Sequence, residues 1–337
     1  MRLSEEADDG CGRINHGKSI YGPTMSRDFR SRVDEAPPPQ VSIGLPVFNG
    51  QAVICNALDS LLAQTSNDFE LIVSDNASTD STSEICQKYA ARDRRVRYVR
   101  QPHNIGMYHN FRYVLRQARG DYFMWAAADD WWHPEFIERN YQVLSKNANL
   151  VSSISKVKMG NLSEHTTRVG THPIRGSYPE RVHRFLAAPG ANSRFYGLFR
   201  RQQLADAFVD GLFYAQDWAV MINLLRWGEF YELDEVLMER GIQGESAASL
   251  IIEQARSLSP RPSRAVLPLL DFTQWLWSNL DRSVYWKSLA PILYLNVHTE
   301  LLVLAELLSV KRRRRAPPSY RLTNYRPRRV KGMREAD

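Results

Sequence analysis

Strand and helix patterns alternate through the first half of this sequence. Short apolar runs typical of buried strands begin near Val41, Phe69, Val96 and Tyr122, and a segment with apolar residues at helical spacing follows each. A βαβα order of this kind predicts a mostly parallel sheet that is covered by helices on both faces. We therefore predict an α/β protein with a Rossmann-like sheet.

The pattern changes in the second half of the chain. Residues 150–213 are less regular, and a helix over residues 216–227 and a strand over 230–238 follow them. Residues 265–310 have helical spacing and are rich in Leu and Trp. We expect the tryptophans of this last segment to be packed in a core: Trp275, Trp277 and Trp286.

The net charge of +7 is concentrated at the C-terminus. Residues 311–337 contain eleven basic and two acidic residues, so the remainder of the chain is slightly acidic. This distribution argues against a basic nucleic-acid-binding surface on the folded body. The run Lys311–Arg315 is typical either of a segment that binds anionic lipid headgroups or of a solvated, disordered tail.

Hydropathy and cysteine content favour a cytoplasmic protein. No apolar run reaches the roughly 20 residues that a membrane-spanning helix needs, and the polar leader lacks the apolar core of a secretory signal. The three cysteines form neither an even set nor the close spacing of a zinc site. If the basic tail binds lipid, we expect a peripheral location on the inner face of the membrane.

One phosphate-binding motif is present by pattern alone. Residues 12–19 match G-x-x-x-x-G-K-[ST], but such a loop works only between a buried strand and a helix. Acidic residues precede this match, and Gly22 and Pro23 follow it. We interpret the match as chance.

Polar residues follow each of the four predicted strands. Ligands of open parallel sheets bind at the carboxyl ends of the strands, which share one rim. The segments delivered to that rim are residues 46–50, 75–82, 103–106 and 128–130. Their convergence predicts a ligand site more strongly than any single residue does.

Individual acids at this rim have two interpretations each. Asp75 can accept hydrogen bonds from a base or ribose, or it can be a turn residue. Asp129 and Asp130 suit a divalent cation that bridges phosphates, or they are acids favoured by a helix N-terminus. Asp80 or Ser81 is expected to cap the next helix.

In this order, the segments resemble family-2 glycosyltransferases of the GT-A fold. The match covers about residues 39–249, and it rests on residues 41–49, 69–80, 104–106, 120–123 and the acid pair before Trp131. The resemblance divides the chain into a disordered leader (1–39), a GT-A domain (40–250), a C-terminal helical appendage (251–310) and a basic disordered tail (311–337).

The resemblance also implies roles for particular residues. Asp217 would be the catalytic base and Asp129 the ligand of Mg²⁺ or Mn²⁺, as the last residue of the family's D-x-D motif. Ala127 stands where the first Asp of that motif is usual, which weakens the expected metal dependence. The nucleotide-sugar would be bound by Pro46, Val47, Phe48, Asn49, Asp75, Asn104, Gly106, Asp130 and Arg240. Residues 197–200 resemble the family's segment that faces the acceptor.

The implied reaction is an inverting hexosyl transfer from a nucleotide-sugar to a hydroxyl acceptor. A lipid-linked glycan or a cell-surface polysaccharide precursor is the expected acceptor. Two alternatives remain at this point: a nucleotidyltransferase, and a catalytically degenerate protein that binds sugars or membranes. Asp217 could also be an ordinary acid in the first turn of a helix, and Arg240 could form a surface ion pair.

Overall fold

A computed structural model describes residues 37–159, 166–241 and 267–313, together with Ile251, Ala255 and Leu258. Residues 1–38 separate from residues 39–337 by their contacts, and the fold described below belongs to the second unit. The phosphate-loop match at residues 12–19 lies outside the described residues, as do most of the leader and residues 314–337 of the basic tail.

One sheet contains all eight named strands of the described residues. Their bounds are β1 Val41–Val47, β2 Phe69–Asp75, β3 Val96–Arg100, β4 Tyr122–Trp125, β5 Trp131–Trp132, β6 Leu150–Lys158, β7 Leu198–Arg200 and β8 Glu229–Glu239. The strand order is β3-β2-β1-β4-β7-β6-β8-β5. The first four strands of that order are parallel, as is the β6–β8 pair, whereas β7 and β5 run antiparallel to their neighbours.

Helices cover this sheet and form the C-terminal part. Their bounds are α1 Ile54–Leu62, α2 Thr82–Arg92, α3 Met107–Gln117, α4 Phe136–Lys146, α5 Thr166–Val169, α6 Tyr178–Ala187, α7 Arg201–Ala207, α8 Gln216–Leu224, α9 Leu270–Asn279, α10 Arg282–Lys287 and α11 Leu289–Arg313. The α/β class and the Rossmann-like half that the sequence predicts are confirmed.

Burial on both faces explains the apolar runs of the first strands. All seven residues of β2 are buried, and β1 is buried at every position except Pro46. Helix α3 packs closely on β1, because a Cβ at Gly44 would lie only 2.6 Å from Cγ2 of Val114. A strand covered on both faces shows a nearly continuous apolar run instead of alternation.

The region that looked irregular in the sequence contains the nine-residue strand β6. Its centre is buried although it includes Ser152, Ser153 and Ser155. Hydrogen bonding offsets the cost of burying these hydroxyl groups: Ser153 Oγ donates to Oδ1 of Asn140 over 2.7 Å. Buried serines hide the apolar pattern on which strand prediction depends.

The C-terminal helices pack against α6 and α8. Trp275 packs against the core as expected, but Trp277 and Trp286 are 42% and 58% exposed, so the prediction of a packed position is wrong for these two. Leu289–Leu308 of α11 is also long and apolar enough to cross a membrane by length and composition, with 28% of it buried. The expectation that no such run exists is therefore wrong.

Candidate active site

The loops after β1, β2 and β3 are joined by backbone hydrogen bonds at the carboxyl end of the sheet. Asn76 N–H donates to the Val47 carbonyl, and Gln101 N–H donates to the Asp75 carbonyl, both over 2.8 Å. The neighbouring loop after β4 is close as well, because a Cβ at Gly50 would lie 3.5 Å from Cβ of Ala128. The predicted rim therefore exists, and its four segments are contiguous.

The loop after β1 presents Asn49 to solvent in a left-handed backbone conformation (φ 50°). Asn tolerates this conformation better than most residues. Its N–H donates to Ser78 Oγ over 2.9 Å, and its Oδ1 accepts the Thr79 N–H over 2.8 Å. Pro46 and Phe48 beside it are half-buried, and Val47 is buried.

The Asp75 carboxylate is fully buried and engaged by the protein itself. Its Oδ1 accepts the Ser78 N–H over 2.8 Å, and its Oδ2 accepts hydrogen bonds from Tyr98 Oη (2.9 Å) and Arg100 Nη1 (3.0 Å). Arg100 also donates from Nη2 to the Ser78 carbonyl. Asp75 thus organises the loop after β2 and offers no surface to solvent in this conformation.

Asn76 positions Asn104 and Gly106, although the sequence assigned it no role of its own. The buried Asn76 donates from Nδ2 to Oδ1 of Asn104, and its own Oδ1 accepts the Ile105 N–H, both over 2.8 Å. Gly106 lies in the left-handed region with φ 85° and donates its N–H to Asn104 Oδ1. Both predicted residues are exposed at the rim.

Asp80 has the capping function that the sequence predicts. Its Oδ1 accepts the Thr82 N–H in the first turn of α2 over 3.0 Å, and its Oδ2 accepts the Gln51 N–H over 3.1 Å. These bonds lower the pKa of Asp80 against a desolvation that acts to raise it. The cap also ties the loop after β1 to the start of α2.

Asp130 is a buried carboxylate with one unengaged oxygen. It is 3% exposed; Oδ1 accepts the Gly241 N–H over 2.9 Å, while Oδ2 has no partner among the described residues. Burial raises its pKa to about 7, the Arg240 charge opposes this, and the neighbouring Asp129 adds to it. Asp129 itself is half-buried.

The end of β8 lies against this acid pair. A Cβ at Gly241 would be 2.5 Å from Oδ2 of Asp129, so only glycine fits there. The Arg240 guanidinium lies 4.9 Å from the centre of the Tyr196 ring and donates from Nη1 to the Ala191 carbonyl and to Ser193 Oγ. Arg240 therefore binds neutral groups and a ring face, and among the described residues it does not form the surface ion pair considered above.

Asp217 occupies the first turn of α8 and is half-buried. Its Oδ2 accepts a hydrogen bond from Nδ2 of Asn192 over 2.8 Å. Burial raises the pKa of Asp217, and the Asn192 hydrogen bond and the Arg240 charge offset part of that rise. Asn192 has a left-handed backbone with φ 47°, which fixes where its side chain can reach.

Tyr196 links the acid pair to Asp217. Burial raises the pKa of its hydroxyl; Arg240 acts in the opposite direction, and Asp130, Asp129 and Asp217 add to the rise. The predicted base, the acid pair and the arginine therefore lie within electrostatic reach of one ring. Since they come from α8, the loop after β4 and the end of β8, the fold brings together residues distant in sequence.

The acid pair has oxygen donors that could form part of a divalent-cation site. Mg²⁺ is commonly held by one or two carboxylates together with substrate phosphates and water. Asp129 and the unengaged Oδ2 of Asp130 fit that donor set, whereas Ala127 supplies no ligand. Among the described residues there is no cluster of three or more His, Cys, Asp or Glu that could hold a metal ion alone.

One segment does not lie where the resemblance placed it. Residues 197–200 were expected to face the acceptor, but they form β7, in which Leu198 and Phe199 are fully buried. Three neighbouring residues contact the predicted site residues instead: Asn192 binds Asp217, while Ser193 and Tyr196, at the two ends of the 3₁₀ helix Ser193–Tyr196, contact Arg240. Phe195 stacks on Trp125 with ring centres 4.2 Å apart and belongs to the core.

Comparison with known proteins identifies the family of the sheet-forming part of this chain. Residues 42–208 match the model of Glycosyl transferase family 2. Residues 42–208 of this chain therefore form a glycosyltransferase family 2 domain. Chondroitin synthase of Escherichia coli is 25% identical over 212 residues, which cover 62% of this chain and 30% of that protein. Across eight curated relatives, the match covers only 16 to 40% of their length.

Solved structures show the same fold. Mannosyltransferase PcManGT from Pyrobaculum calidifontis, in complex with GDP-Man and Mn²⁺, has a TM-score of 0.57 at 18% identity, with 85% of this chain and 80% of that chain covered. S. aureus TarS 1-349, in complex with UDP-GlcNAc, has a TM-score of 0.52 at 18% identity, with coverage of 75% and 79%. The family 2 domain of this chain therefore has the GT-A fold.

Proposed function

We propose that this family 2 glycosyltransferase transfers a hexosyl group from a nucleoside diphosphate donor to a hydroxyl acceptor with inversion of the anomeric centre. The arrangement of residues 191–193 carries the proposal: Asn192 binds the half-buried base Asp217, and its neighbours Ala191 and Ser193 bind Arg240, which precedes the Gly241 N–H that Asp130 accepts. A degenerate binding protein has no need of such a base. The loop after β1 also lacks the glycine-rich, Lys-containing sequence expected of a nucleotidyltransferase.

The nucleotide is proposed to bind across the loops after β1, β2 and β3. Exposed Asn49, Asn104 and Gly106 would contact it, and Phe48 and Pro46 would supply apolar surface. Asp75 would contribute by holding the Ser78 loop in shape. The UDP-GlcNAc and GDP-Man in the two structurally similar proteins support a nucleotide-sugar donor.

Asp129 and Asp130 would hold Mg²⁺ or Mn²⁺ through their carboxylate oxygens. When bound, such an ion supplies positive charge that stabilises the departing diphosphate. Arg240 adds a fixed positive charge on the same side, held by Ala191, Ser193 and the Tyr196 ring. Since the metal-binding motif lacks its first acid, Asp130 is assigned the contact that Ala127 cannot make.

Asp217 is proposed to act on the acceptor. Its Oδ2 is occupied by Asn192, so Oδ1 would take the proton as the acceptor oxygen bonds to the anomeric carbon and the bond to the diphosphate breaks. A carboxylate whose pKa is raised by burial is a better base than an exposed one. A single displacement of this kind turns an α-linked donor into a β-linked product.

The acceptor is proposed to be a lipid-linked glycan or a cell-surface polysaccharide precursor at the cytoplasmic face of a membrane. The similarity to chondroitin synthase supports a polysaccharide-related acceptor. Each basic residue of the Lys311–Arg315 run would contribute about 1 kcal/mol of attraction to an anionic surface.

The test compares the anomeric configuration of the product, measured by NMR, and the rates of Asp217→Asn and Asp206→Asn. Asp206 is an exposed acid on α7 and serves as the matched control. We expect a β-linked product, a roughly 10²- to 10⁴-fold loss of kcat for Asp217→Asn, and an unchanged control. An α-linked product, or a fully active Asp217→Asn enzyme, would refute the mechanism.

A further inference from the structure

Helix α11 carries a long apolar face that the described residues leave uncovered. Ten residues between positions 293 and 308 are exposed, and His298 is the single polar side chain among them apart from the Tyr294 hydroxyl: Leu293, Tyr294, Val297, His298, Leu301, Leu302, Leu304, Ala305, Leu307 and Leu308. At about 1.5 Å per residue this face extends over about 23 Å. An apolar surface of this length is a sign of an interaction site.

The opposite face of α11 fixes the helix to the protein body. Ile292 and Leu295 are buried in the main core, and Asn296 Nδ2 donates to Thr273 Oγ1 of α9 over 3.0 Å. Val303 is buried against Ile251. Helix α6 packs against α11 as well. Because one side of the helix packs against the protein, the other side is exposed along the length of the helix. Such a face suits a helix that lies in the plane of a membrane surface, and not a helix that crosses the bilayer.

Basic and aromatic residues precede α11 in the chain. The Arg282 guanidinium lies 3.6 Å from the centre of the Trp277 ring, and Trp277 contacts Trp286 edge to face with ring centres 6.2 Å apart. Lys287 beside them is exposed. Exposed tryptophans with adjacent cations are typical of the region between lipid headgroups and acyl chains.

Basic residues follow the apolar face at the C-terminal end of α11. Lys311 and Arg312 follow Leu308 by three and four residues in the same helix, so their Cα atoms lie on the face that Leu308 presents. No acidic residue is among the ten exposed residues of that face, since Glu300 and Glu306 are half-buried. The apolar face therefore lies between the exposed Lys287, just before α11, and the basic positions 311 and 312 at its C-terminal end, with the exposed Asp281 as an acid on the N-terminal side.

We propose that the exposed face of α11 docks on an anionic lipid bilayer and lies in the plane of the headgroups. The charge pattern decides against a second copy of the chain as the occupant. A parallel pairing of two α11 faces would bring two basic tails together, and an antiparallel pairing would place each tail beside Arg282 and Lys287 of the other copy. An anionic surface instead complements both ends.

Co-sedimentation with vesicles tests the docking face. The full chain is mixed with phosphatidylcholine vesicles that contain or lack phosphatidylglycerol, and the double variant Leu301→Glu/Leu308→Glu is compared with Leu212→Glu/Val236→Glu. All four positions are 47 to 65% exposed, so both variants should fold, which thermal melting checks. We expect the α11 variant to lose binding to anionic vesicles by ~10-fold or more and the control to bind as the wild type does.

Three results would overturn the proposal. The first is no binding of the wild type to anionic vesicles. The second is an α11 variant that binds the vesicles as well as the wild type does, which would mean that the basic tail alone accounts for the binding. The third is a wild-type dimer that the α11 variant converts to a monomer without any vesicle binding, which would assign the face to a second copy. Donor-induced melting shifts report the glycosyltransferase site separately, so the failure of one proposal does not imply failure of the other.

Discussion

The hydrogen bond from Asn192 to Asp217 can be removed with little strain on the backbone. Asn192 has φ 47°, a conformation that glycine adopts freely. Asn192→Gly therefore deletes the donor on Asp217 Oδ2 and keeps the loop. In Asn192→Asp the amide donor is replaced by a second carboxylate about as close as the 2.8 Å donor it replaces.

The direction of the effect follows from which form of Asp217 the hydrogen bond favours. It stabilises the carboxylate and so lowers the pKa of Asp217 against the effect of burial. Without the Asn192 hydrogen bond the pKa of Asp217 rises, and Asp217 stays protonated up to a higher pH than in the wild type. Asn192→Asp should raise the pKa further, because a neighbouring negative charge disfavours ionisation.

The size of the expected rate loss follows from the free energy that a hydrogen bond to a charged group contributes. That contribution is about 1.5–3 kcal/mol, and each 1.36 kcal/mol corresponds to a tenfold change. On the acid limb of the profile, where the rate follows the deprotonated fraction, kcat for Asn192→Gly should fall about 10- to 150-fold. At high pH, where Asp217 is ionised in both proteins, the difference should shrink.

The assay is the release of nucleoside diphosphate as a function of pH, with KM for the donor measured at each point. The account predicts acid-limb midpoints that rise from wild type to Asn192→Gly to Asn192→Asp, with the donor KM unchanged. A loss of rate that is equal at every pH would show that Asn192 merely supports the fold. A midpoint that moves to lower pH would refute the reasoning.

Three further predictions concern the donor side. Gly241→Ala should abolish metal-dependent stabilisation by the donor nucleotide, because its Cβ would lie 2.5 Å from Asp129 Oδ2; calorimetry that finds normal binding would contradict this. Arg100→Met should lower the free energy of unfolding by about 1–3 kcal/mol in urea titrations, because it removes a donor from the buried Asp75; an unchanged midpoint would argue against it. Asp130 has a pKa raised from 3.8 to about 7, so its stabilising contribution is present below its unfolded pKa and is lost as pH rises through about 7. Asp130→Asn should therefore reduce the loss of unfolding free energy between pH 3.8 and about pH 7. If the dependence of stability on pH is the same as in the wild type, Asp130 does not contribute in this way.

Sequence reasoning located the half of the site that follows the regular βα units. Strands β1 to β4 show clear periodicity, and their carboxyl ends must meet at one rim, so Asp75, Asn104 and the acid pair could be placed there from the order of elements. The same rule could have found Arg100, which is the last residue of β3. The roles of these residues stay predictions, while their common location is now described.

The other half of the site could not be read from local pattern. Asn192 lies in a loop whose position depends on β6, and the buried serines of that strand masked it. The contact between Gly241 and Asp129 joins residues far apart in sequence, and no spacing rule foresees it. Exposure of Trp286 was also missed, since apolar content alone does not distinguish a core helix from one that presents an apolar face outward.

Thermal melting with a panel of nucleoside diphosphates, with and without Mn²⁺ or Mg²⁺, tests the central claim most directly. At a hundredfold excess over Kd, a ligand of the folded state adds about 2.7 kcal/mol, or about 5–10 °C for a domain of this size. The account predicts that one diphosphate gives this shift only with metal, that Asp129→Ala loses it and that Asp217→Asn keeps it. If no nucleotide shifts the curve at millimolar concentration, or if Asp129→Ala responds as the wild type does, the donor site described here is wrong.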